Sequence, residues 1–134
     1  MATHAKAGEI ISIVRDGTVQ NADIRTARAT LWIPMKDYKR VAAYATGAPM
    51  TLTKKITATL QQAKDSSGTG AKALATASSA GAATTEDVRV EVGQDEMDGQ
   101  NGFTHVKLII QSDNDAAHLG FGLIARLDPV YKPV

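Results

Sequence analysis

Acidic side chains near the end of the chain, together with one histidine, have the chemistry to bind a metal ion or to transfer protons. They are Asp113, Asp115 and His118, and a second acidic group occupies 95–98 with the sequence DEMD. On a helix, Asp115 and His118 would stand at i and i+3 and could share a metal. The same residues also suit an ordinary helix N-terminus, and the DEMD group lacks the spacing of a calcium loop. We therefore expect no metal, no cofactor and no enzymatic activity.

A glycine-rich stretch at 68–72, with the sequence GTGAK, has the composition of a loop that cradles a phosphate group. A P-loop requires Gly-Lys-Ser or Gly-Lys-Thr after a buried strand, and this stretch has neither feature. The surrounding segment 65–87 consists almost entirely of small residues. It predicts a long surface loop rather than a nucleotide site.

Contact with phosphates and bases is the third chemistry that the sequence allows, and it depends on how the segment KKITATLQ at 54–61 folds. A helix would align Ile56 and Leu60 in an apolar stripe, whereas a strand would place apolar and polar side chains on opposite faces. The strand is favoured because VRVEV at 88–92 and THVKLIIQ at 104–111 alternate in the same way and could pair with it.

If these three segments are neighbouring antiparallel strands, one face of the sheet is apolar and the opposite face is polar. The polar side chains are Lys55, Thr57, Thr59, Gln61, Arg89, Glu91, His105 and Lys107. Cations, hydroxyls and amides on a flat sheet can bind phosphates and hydrogen-bond unstacked bases, and His105 would be the only ring on this face. A plain solvated face is the alternative, because antiparallel sheets commonly bury one side alone.

The composition sets limits on the partners and on the number of domains. The 134 residues suffice for one domain, expected to span 1–134. The chain is 43% hydrophobic but has one Trp, two Phe and three Tyr, so Val, Ile, Leu and Ala must build the core. A core this poor in aromatic residues is often completed by a partner subunit. The net charge of +1 predicts no global attraction to nucleic acid or membranes, and no apolar run reaches the ~18 residues of a membrane span.

The fold class predicted from these patterns is α+β, with an antiparallel sheet, an N-terminal hairpin and a C-terminal helix. Asp16-Gly17 between two strand-like runs predicts the hairpin, and Asp128-Pro129 would end the helix. Segment 35–45 is either a helix or a kinked strand. The other expected elements are the hairpin at 9–24, strands at 28–33, 52–62, 88–92 and 104–111, of which the last two form a second hairpin, and the helix at 114–127.

The order of these segments resembles that of the coat proteins of single-stranded RNA bacteriophages, the levivirus-like family. Lys55, Thr57 and Thr59 match a Lys-x-Thr-x-Ser/Thr strand of that family, and Arg89 matches a basic residue before Val-Glu-Val. The ending LDPVY at 127–131 is similar to the Leu-Asn-Pro-x-Tyr close of some relatives.

The resemblance implies a capsid protein that forms a homodimer, closes an icosahedral shell and packages single-stranded RNA in a virion assembled in the bacterial cytoplasm. The eight polar residues named above would face the RNA. As in several relatives, the same face would bind a genomic hairpin and repress translation. The C-terminal helix would pack onto the dimer partner through its apolar residues, which are Leu119, Leu123, Ile124 and Leu127.

A competing interpretation takes residues 50–64 as a helix. A helical middle, a small-residue stretch, a hairpin and the ending AAHLGFGLIARLDPVYKP are then similar to neck, head-tail connector or tail-completion proteins of tailed phages. This interpretation implies a subunit of an oligomeric ring that has no RNA site.

Overall fold

The computed structural model describes residues 11–129, and of residues 11–16, 20 and 21 it describes the backbone alone. Nine β-strands and two short 3-10 turns make up this part of the chain, and no α-helix occurs in it. The strands are β1 (Ile11–Ala22), β2 (Arg28–Ala29), β3 (Ile33–Pro34), β4 (Tyr38–Ala48), β5 (Ile56–Ala63), β6 (Lys72–Ser78), β7 (Glu86–Gly93), β8 (His105–Ser112) and β9 (Leu119–Pro129). The 3-10 turns, Gln94–Glu96 and Gly99–Asn101, lie between β7 and β8.

The strands form two antiparallel sheets that pack face to face. The first sheet has the order β1-β9-β4-β7, and the second has the order β2-β8-β5-β6, with β3 also paired to β8. If β2 and β3 are taken as one interrupted strand, the first strand pairs with the last, the second with the seventh, the third with the sixth and the fourth with the fifth. This nested pairing is the topology of a jelly roll.

Strict alternation along four strands builds the core between the sheets. Every second side chain points inward, so a strand of period two buries one face and leaves the other outside. The inward residues are mostly aliphatic, as the composition predicts. They include Val41, Ala43 and Ala45 on β4, Ile56, Ala58 and Leu60 on β5, Val88, Val90 and Val92 on β7, and Val106, Leu108 and Ile110 on β8.

The predicted α+β class and its C-terminal helix at 114–127 are wrong, because residues Leu119–Pro129 form strand β9. Its backbone pairs with β1 on one side and with β4 on the other. Gly120 and Gly122 explain the outcome. A Cβ at Gly120 would lie 2.7 Å from Cγ1 of Ile24, and one at Gly122 would lie 3.1 Å from Cδ2 of Leu108. Glycine disfavours a helix, and here it lets the backbone approach the opposite sheet closely.

The N-terminal hairpin expected at 9–24 is also wrong for the residues that the structure describes, since Ile11–Ala22 is one strand. Asp16-Gly17 falls in a register shift between Ile13 and Thr18, where β1 bulges against β9. Asp-Gly can supply a bulge as well as a turn, and continuous pairing with β9 decides between them. Residues 9 and 10 of this prediction lie outside the described range.

Three further expectations meet different outcomes. Segment 35–45, open between helix and strand, contains the start of strand β4, because Val41, Ala43 and Ala45 alternate inward despite their helical composition. The predicted loop at 65–87 contains strand β6. The strands at 88–92 and 104–111 exist, but they do not form a hairpin with each other, because β7 and β8 belong to different sheets.

A buried carboxylate fixes the loop between β6 and β7. Glu86 is 4% exposed and accepts hydrogen bonds from the backbone N–H groups of Gly81 and Ala83. Its pKa is lowered from the ordinary value, first by the hydroxyl of Ser79 and then by these backbone donors. The Ser79 oxygen in turn accepts the backbone N–H of Ile56 at 2.9 Å, which ties the loop to β5.

We expect Glu86→Gln to lower the midpoint of thermal unfolding by about 5 to 10 °C at neutral pH, because an amide cannot accept from all these donors. A carboxyl whose folded pKa is depressed stabilises the fold above its ordinary pKa and loses that effect as the pH falls through the lowered value. The difference between Glu86→Gln and the parent protein should therefore shrink below about pH 4. Asp87→Asn, at an exposed neighbouring carboxylate, is the control. A difference that is independent of pH would contradict the assignment.

Candidate functional site

The structure divides the eight polar residues predicted to share one face. Thr57, Thr59 and Gln61 on β5 point outward from the second sheet, and Lys55 precedes that strand. His105 and Lys107 on β8 join them, because β5 and β8 pair with Gln61 opposite Lys107. Arg89 and Glu91 point outward from β7, which belongs to the first sheet. Six of the eight candidates therefore lie together, and two lie on the far side of the core.

We call the outer surface of the second sheet the polar face. Besides the six candidates it includes Thr76 and Ser78 of β6 and Gln111 of β8, which stand opposite Thr59, Thr57 and Thr57 respectively. The hydroxyls of Thr57 and Ser78 lie 3.2 Å apart. A cleft of about 470 Å³ opens at the Lys55 end of this face, between Thr57, Ser78, Gln111, Ser112 and Asp113.

The two lysines of the polar face are free to meet an anion. In the described part of the chain, no carboxylate oxygen lies within 4.0 Å of the ammonium group of Lys55 or Lys107. Arg89, on the other sheet, lies 3.7 Å from Glu91. The polar face therefore has two lysines without a carboxylate partner among the described residues, whereas the arginine of β7 lies beside Glu91.

Trp32 is a residue of this face that sequence reasoning missed, and the expectation that His105 is its only ring is wrong. The ammonium of Lys107 lies 4.7 Å from the centre of the Trp32 ring, in a cation–π contact. The indole also packs against the loop at Gly68, where a Cβ would lie 2.7 Å from its Nε1. The chain is interrupted between β2 and β3, so alternation could not place this side chain.

The middle of the outer surface of the first sheet is mostly apolar along β4 and β9, although Arg40 and Thr46 lie in the same row of β4 and the charged residues of β7 lie beside it. We call it the apolar face; it is formed by Ala42 and Tyr44 of β4 and by Leu119, Phe121, Leu123, Ala125 and Leu127 of β9. Tyr44 stands opposite Leu123, and Ala42 opposite Ala125. Leu119 is 56% exposed. Tyr44, Phe121, Leu123 and Leu127 are half-buried. Large exposed apolar patches on proteins are often interaction sites.

Strand β9 directs glycines toward the core and large apolar side chains outward over its first half, the reverse of an ordinary sandwich strand. Its inward positions include Gly120 and Gly122, whereas Leu119, Phe121 and Leu123 point outward. The bulk that fills the core beneath the glycines comes from Ile24, which is fully buried, and from neighbours on β8. The larger apolar side chains of β9 are therefore left for a surface outside the domain.

The residues predicted to form the dimer contact are separated by the same alternation. Leu119, Leu123 and Leu127 lie on the apolar face, while Ile124 is fully buried in the core. On a helix all four would have shared one side. On a strand, positions an even number apart share a face, and Ile124 falls on the opposite one.

The acidic and histidine residues near the chain end tie loops together. Asp113 accepts the backbone N–H of Lys55 at 2.7 Å, and Asp115 lies 3.6 Å from the ammonium of Lys54. His118 is buried, with Nε2 at 2.8 Å from the hydroxyl oxygen of Ser112. Within residues 11–129 no group of three acidic or histidine side chains is placed to hold a metal ion. No helix in this range is long and apolar enough to cross a membrane.

The glycine-rich stretch at 68–72 belongs to a turn between β5 and β6. The carboxylate of Asp65 accepts the backbone N–H groups of Ser67 and Thr69, at 2.9 and 3.1 Å. Its pKa is lowered first by the hydroxyl of Thr69 and then by these backbone donors. Lys72 pairs with Asp98 at 2.6 Å. The lysine of this stretch therefore serves an ion pair.

Comparisons with known proteins agree with this fold. No protein-family model and no curated protein sequence matches the chain. Among solved structures, PBSX exported protein XepA is similar with a TM-score of 0.56 and 11% identity, over 97% of this chain and 40% of XepA. Empty top-component particles of cowpea mosaic virus give 0.48 and 7%, over 97% and 96% of the two chains. Infectious bursal disease virus strain Gx gives 0.49 and 10%, over 92% and 34%.

This chain thus spans less than half of XepA. None of these three structures is a coat protein of a levivirus-like phage. At these identities the similarity concerns the fold alone. The chain is a jelly-roll β-sandwich.

Proposed function

We propose that the protein is a non-catalytic structural subunit that assembles with copies of itself into a viral particle. The observation that carries this proposal is the apolar face. Phe121, Leu123 and Tyr44 occupy the middle of an outer sheet surface whose inner side already has a full core. A monomer gains nothing by exposing them, whereas an oligomer buries them.

A second copy is the occupant that the borders of this face favour. Along β7 the face is flanked by Asp87, Arg89 and Glu91, which alternate in sign. Arg40 bridges Glu91 and Asp128 across the end of the face, at 2.6 Å to Asp128. In a two-fold contact the same patch meets itself, so Arg89 of one copy can face a carboxylate of the other. A border of one sign would repel its own copy.

The proposal assigns the opposite side of the subunit, the polar face, to packaged single-stranded RNA. Lys55 and Lys107 supply cations that have no carboxylate partner among the described residues, and hydroxyl and amide groups lie between them. Trp32 adds an aromatic ring that a base could stack on. This division leaves the polar face open when the apolar face is occupied.

We expect the double variant Lys55→Ala and Lys107→Ala to reduce the salt dependence of RNA binding. Each lysine that neutralises a phosphate contributes about 0.7 to the slope of log K against log salt on a single strand, so the slope should fall by about 1.4. The control compares Arg89→Ala with Lys55→Ala alone, since each removes one cation, from the first and the second sheet respectively. Fluorescence anisotropy of a labelled oligonucleotide in a salt titration measures both. An equal effect of Arg89→Ala would contradict the assignment of the polar face.

Electron microscopy of the purified protein, with the ratio of absorbance at 260 and 280 nm, tests the function directly. We expect closed particles that contain nucleic acid. Open rings without nucleic acid would favour the connector function and remove the RNA role. A protein that stays monomeric at all concentrations would overturn the proposal.

A further inference from the structure

One sheet edge lacks the features that usually prevent edge-to-edge pairing. Natural sheets protect their edges with charges, proline, bulges or very short strands. In the described residues, β7 carries Asp87, Arg89 and Glu91, β2 and β3 have two residues each, and β1 has two register shifts. Strand β6 forms the other edge of the second sheet, and over 75–78 it has no charge, proline or bulge.

The sequence of β6 makes this contrast clear. It reads KALATAS, with Lys72 as its one charged residue, and its bulge against β5 lies at its start, opposite Leu60 and Gln61. The four residues that follow, Ala75 to Ser78, pair regularly with β5 and carry small side chains. Small neutral side chains allow another backbone to approach.

The backbone of β6 points unused hydrogen-bonding groups outward. The N–H of Ser79 donates to the carbonyl of Ile56 at 2.9 Å, and this bond shows which residues of β6 direct their backbone groups toward β5. In an antiparallel ladder such bonding recurs at every second residue. Ala77 and Ala75 therefore bond to β5, and Thr76 and Ser78 direct their N–H and C=O groups to the open edge.

We propose that β6 pairs antiparallel with β6 of a second copy about a two-fold axis. The inference extends the proposed function, on which it rests, by adding a contact that is independent of the apolar face. A second copy fits because the strand is neutral over 73–78, so no like charges face each other across the axis. The outward N–H and C=O groups belong to every second residue of β6. In two copies these groups can meet only if the two-fold axis passes through a residue, and that residue is Ala75, Thr76 or Ala77.

This edge contact gives the assembly its second interface. A two-fold contact through the apolar face closes at a dimer, and growth to a larger particle needs a different contact. Pairing through β6 joins two second sheets into one continuous sheet. The polar faces of the two copies then form a single surface.

A cysteine scan tests the pairing, because the chain contains no cysteine of its own. The variants Ala75→Cys, Thr76→Cys and Ala77→Cys are each made in a Phe121→Lys background, which removes the apolar contact. A residue on the axis faces its own copy with its Cα about 4.5 to 5.5 Å away, within the range of a disulfide. A residue one position off the axis lies about 7 Å from its copy, and the distance grows further along the strand.

We expect oxidation to produce a disulfide-linked dimer on a non-reducing gel at one of the three positions, with yields at least fivefold lower at the other two. Ser66→Cys, in an exposed turn, gives the background. The pairing would be overturned if all three variants gave no more disulfide-linked dimer than Ser66→Cys, or if all three gave equal amounts.

A second variant tests the same contact without cysteine. Thr76→Pro removes an outward N–H, a change that edge strands tolerate. In the Phe121→Lys background it should weaken the residual dimer at least tenfold by sedimentation, with Thr76→Lys as a second variant if proline unfolds the chain. An unchanged dimer in folded Thr76→Pro would overturn the proposal. If the scan fails while the parent protein still assembles, the edge contact is wrong and the proposed function stands; a monomeric parent protein removes both.

Discussion

Replacing Phe121 with lysine is expected to break the assembled protein into folded units no larger than a dimer. Phe121 lies in the middle of the apolar face, opposite Thr46 of β4. In a monomer the lysine can extend its ammonium into water, so the fold is kept. In the assembly the same ammonium would be buried without a partner, at a cost of several kcal/mol. A cost of about 3 kcal/mol alone raises the dissociation constant more than 100-fold.

Sedimentation velocity of the Phe121→Lys variant against the parent protein measures this effect. Leu123→Lys, two residues along on the same face, should behave in the same way. Thr59→Lys makes an equivalent change on the polar face and should leave the assembly intact. Circular dichroism and the thermal midpoint confirm that each variant is folded. If Thr59→Lys dissociates the protein and Phe121→Lys does not, the two faces have been assigned the wrong roles.

Gly120→Val is expected to cause a large loss of stability. A Cβ at this position would lie 2.7 Å from both Cγ1 and Cγ2 of Ile24, which is fully buried. Neither side chain can move aside, because one belongs to a strand interior and the other to the core. Overpacking of this kind typically costs 1 to 3 kcal/mol, and the extra methyl groups of valine place it at about 3 or more.

Urea unfolding in a background that carries both Phe121→Lys and Thr76→Pro, which removes both proposed contacts, measures this loss without a contribution from assembly. Gly99→Ala is the control, because no atom lies within 4 Å of the added Cβ. The combination of Gly120→Ala with Ile24→Val should recover part of the loss caused by Gly120→Ala alone, because the two sites share one space. Additive losses would show that the strain lies elsewhere.

Alternation in the sequence was enough to predict which central segments are strands. The segments at 52–62, 88–92 and 104–111 each alternate over several residues, and each contains a strand of the sandwich. The pairing of β5 with β8 was expected and is confirmed. Alternation carries no information on which sheet a strand joins, so it could not predict that β7 belongs to the first sheet and β5 and β8 to the second.

The error at β9 has a simple geometric cause. Leu119, Leu123 and Leu127 are spaced by four, and four residues return to the same side of a helix and also to the same face of a strand. Gly120 and Gly122 disfavour a helix, and in the structure they occupy inward positions of the strand. Strand β6 was missed because alanine, threonine and serine give no contrast between its two faces.

The polar candidates show the same limit. Thr57 and Thr59 lie on the same face of one strand, and Lys55 directly precedes that strand. Arg89 was added on the assumption that its strand was a neighbour, and the topology separates it from them. Trp32 could not be placed from sequence, since it follows a two-residue strand and precedes another.

A reconstruction of the assembled particle by cryo-electron microscopy, at a resolution that separates β-strands, is the most direct test of the central claim. We expect the outer surface of β4 and β9 to be covered by a neighbouring copy, with Phe121 and Leu123 inside the contact. The polar face, with Lys55 and Lys107, should face the nucleic acid. A particle in which β4 and β9 are open to solvent while the polar face is buried between subunits would contradict the account.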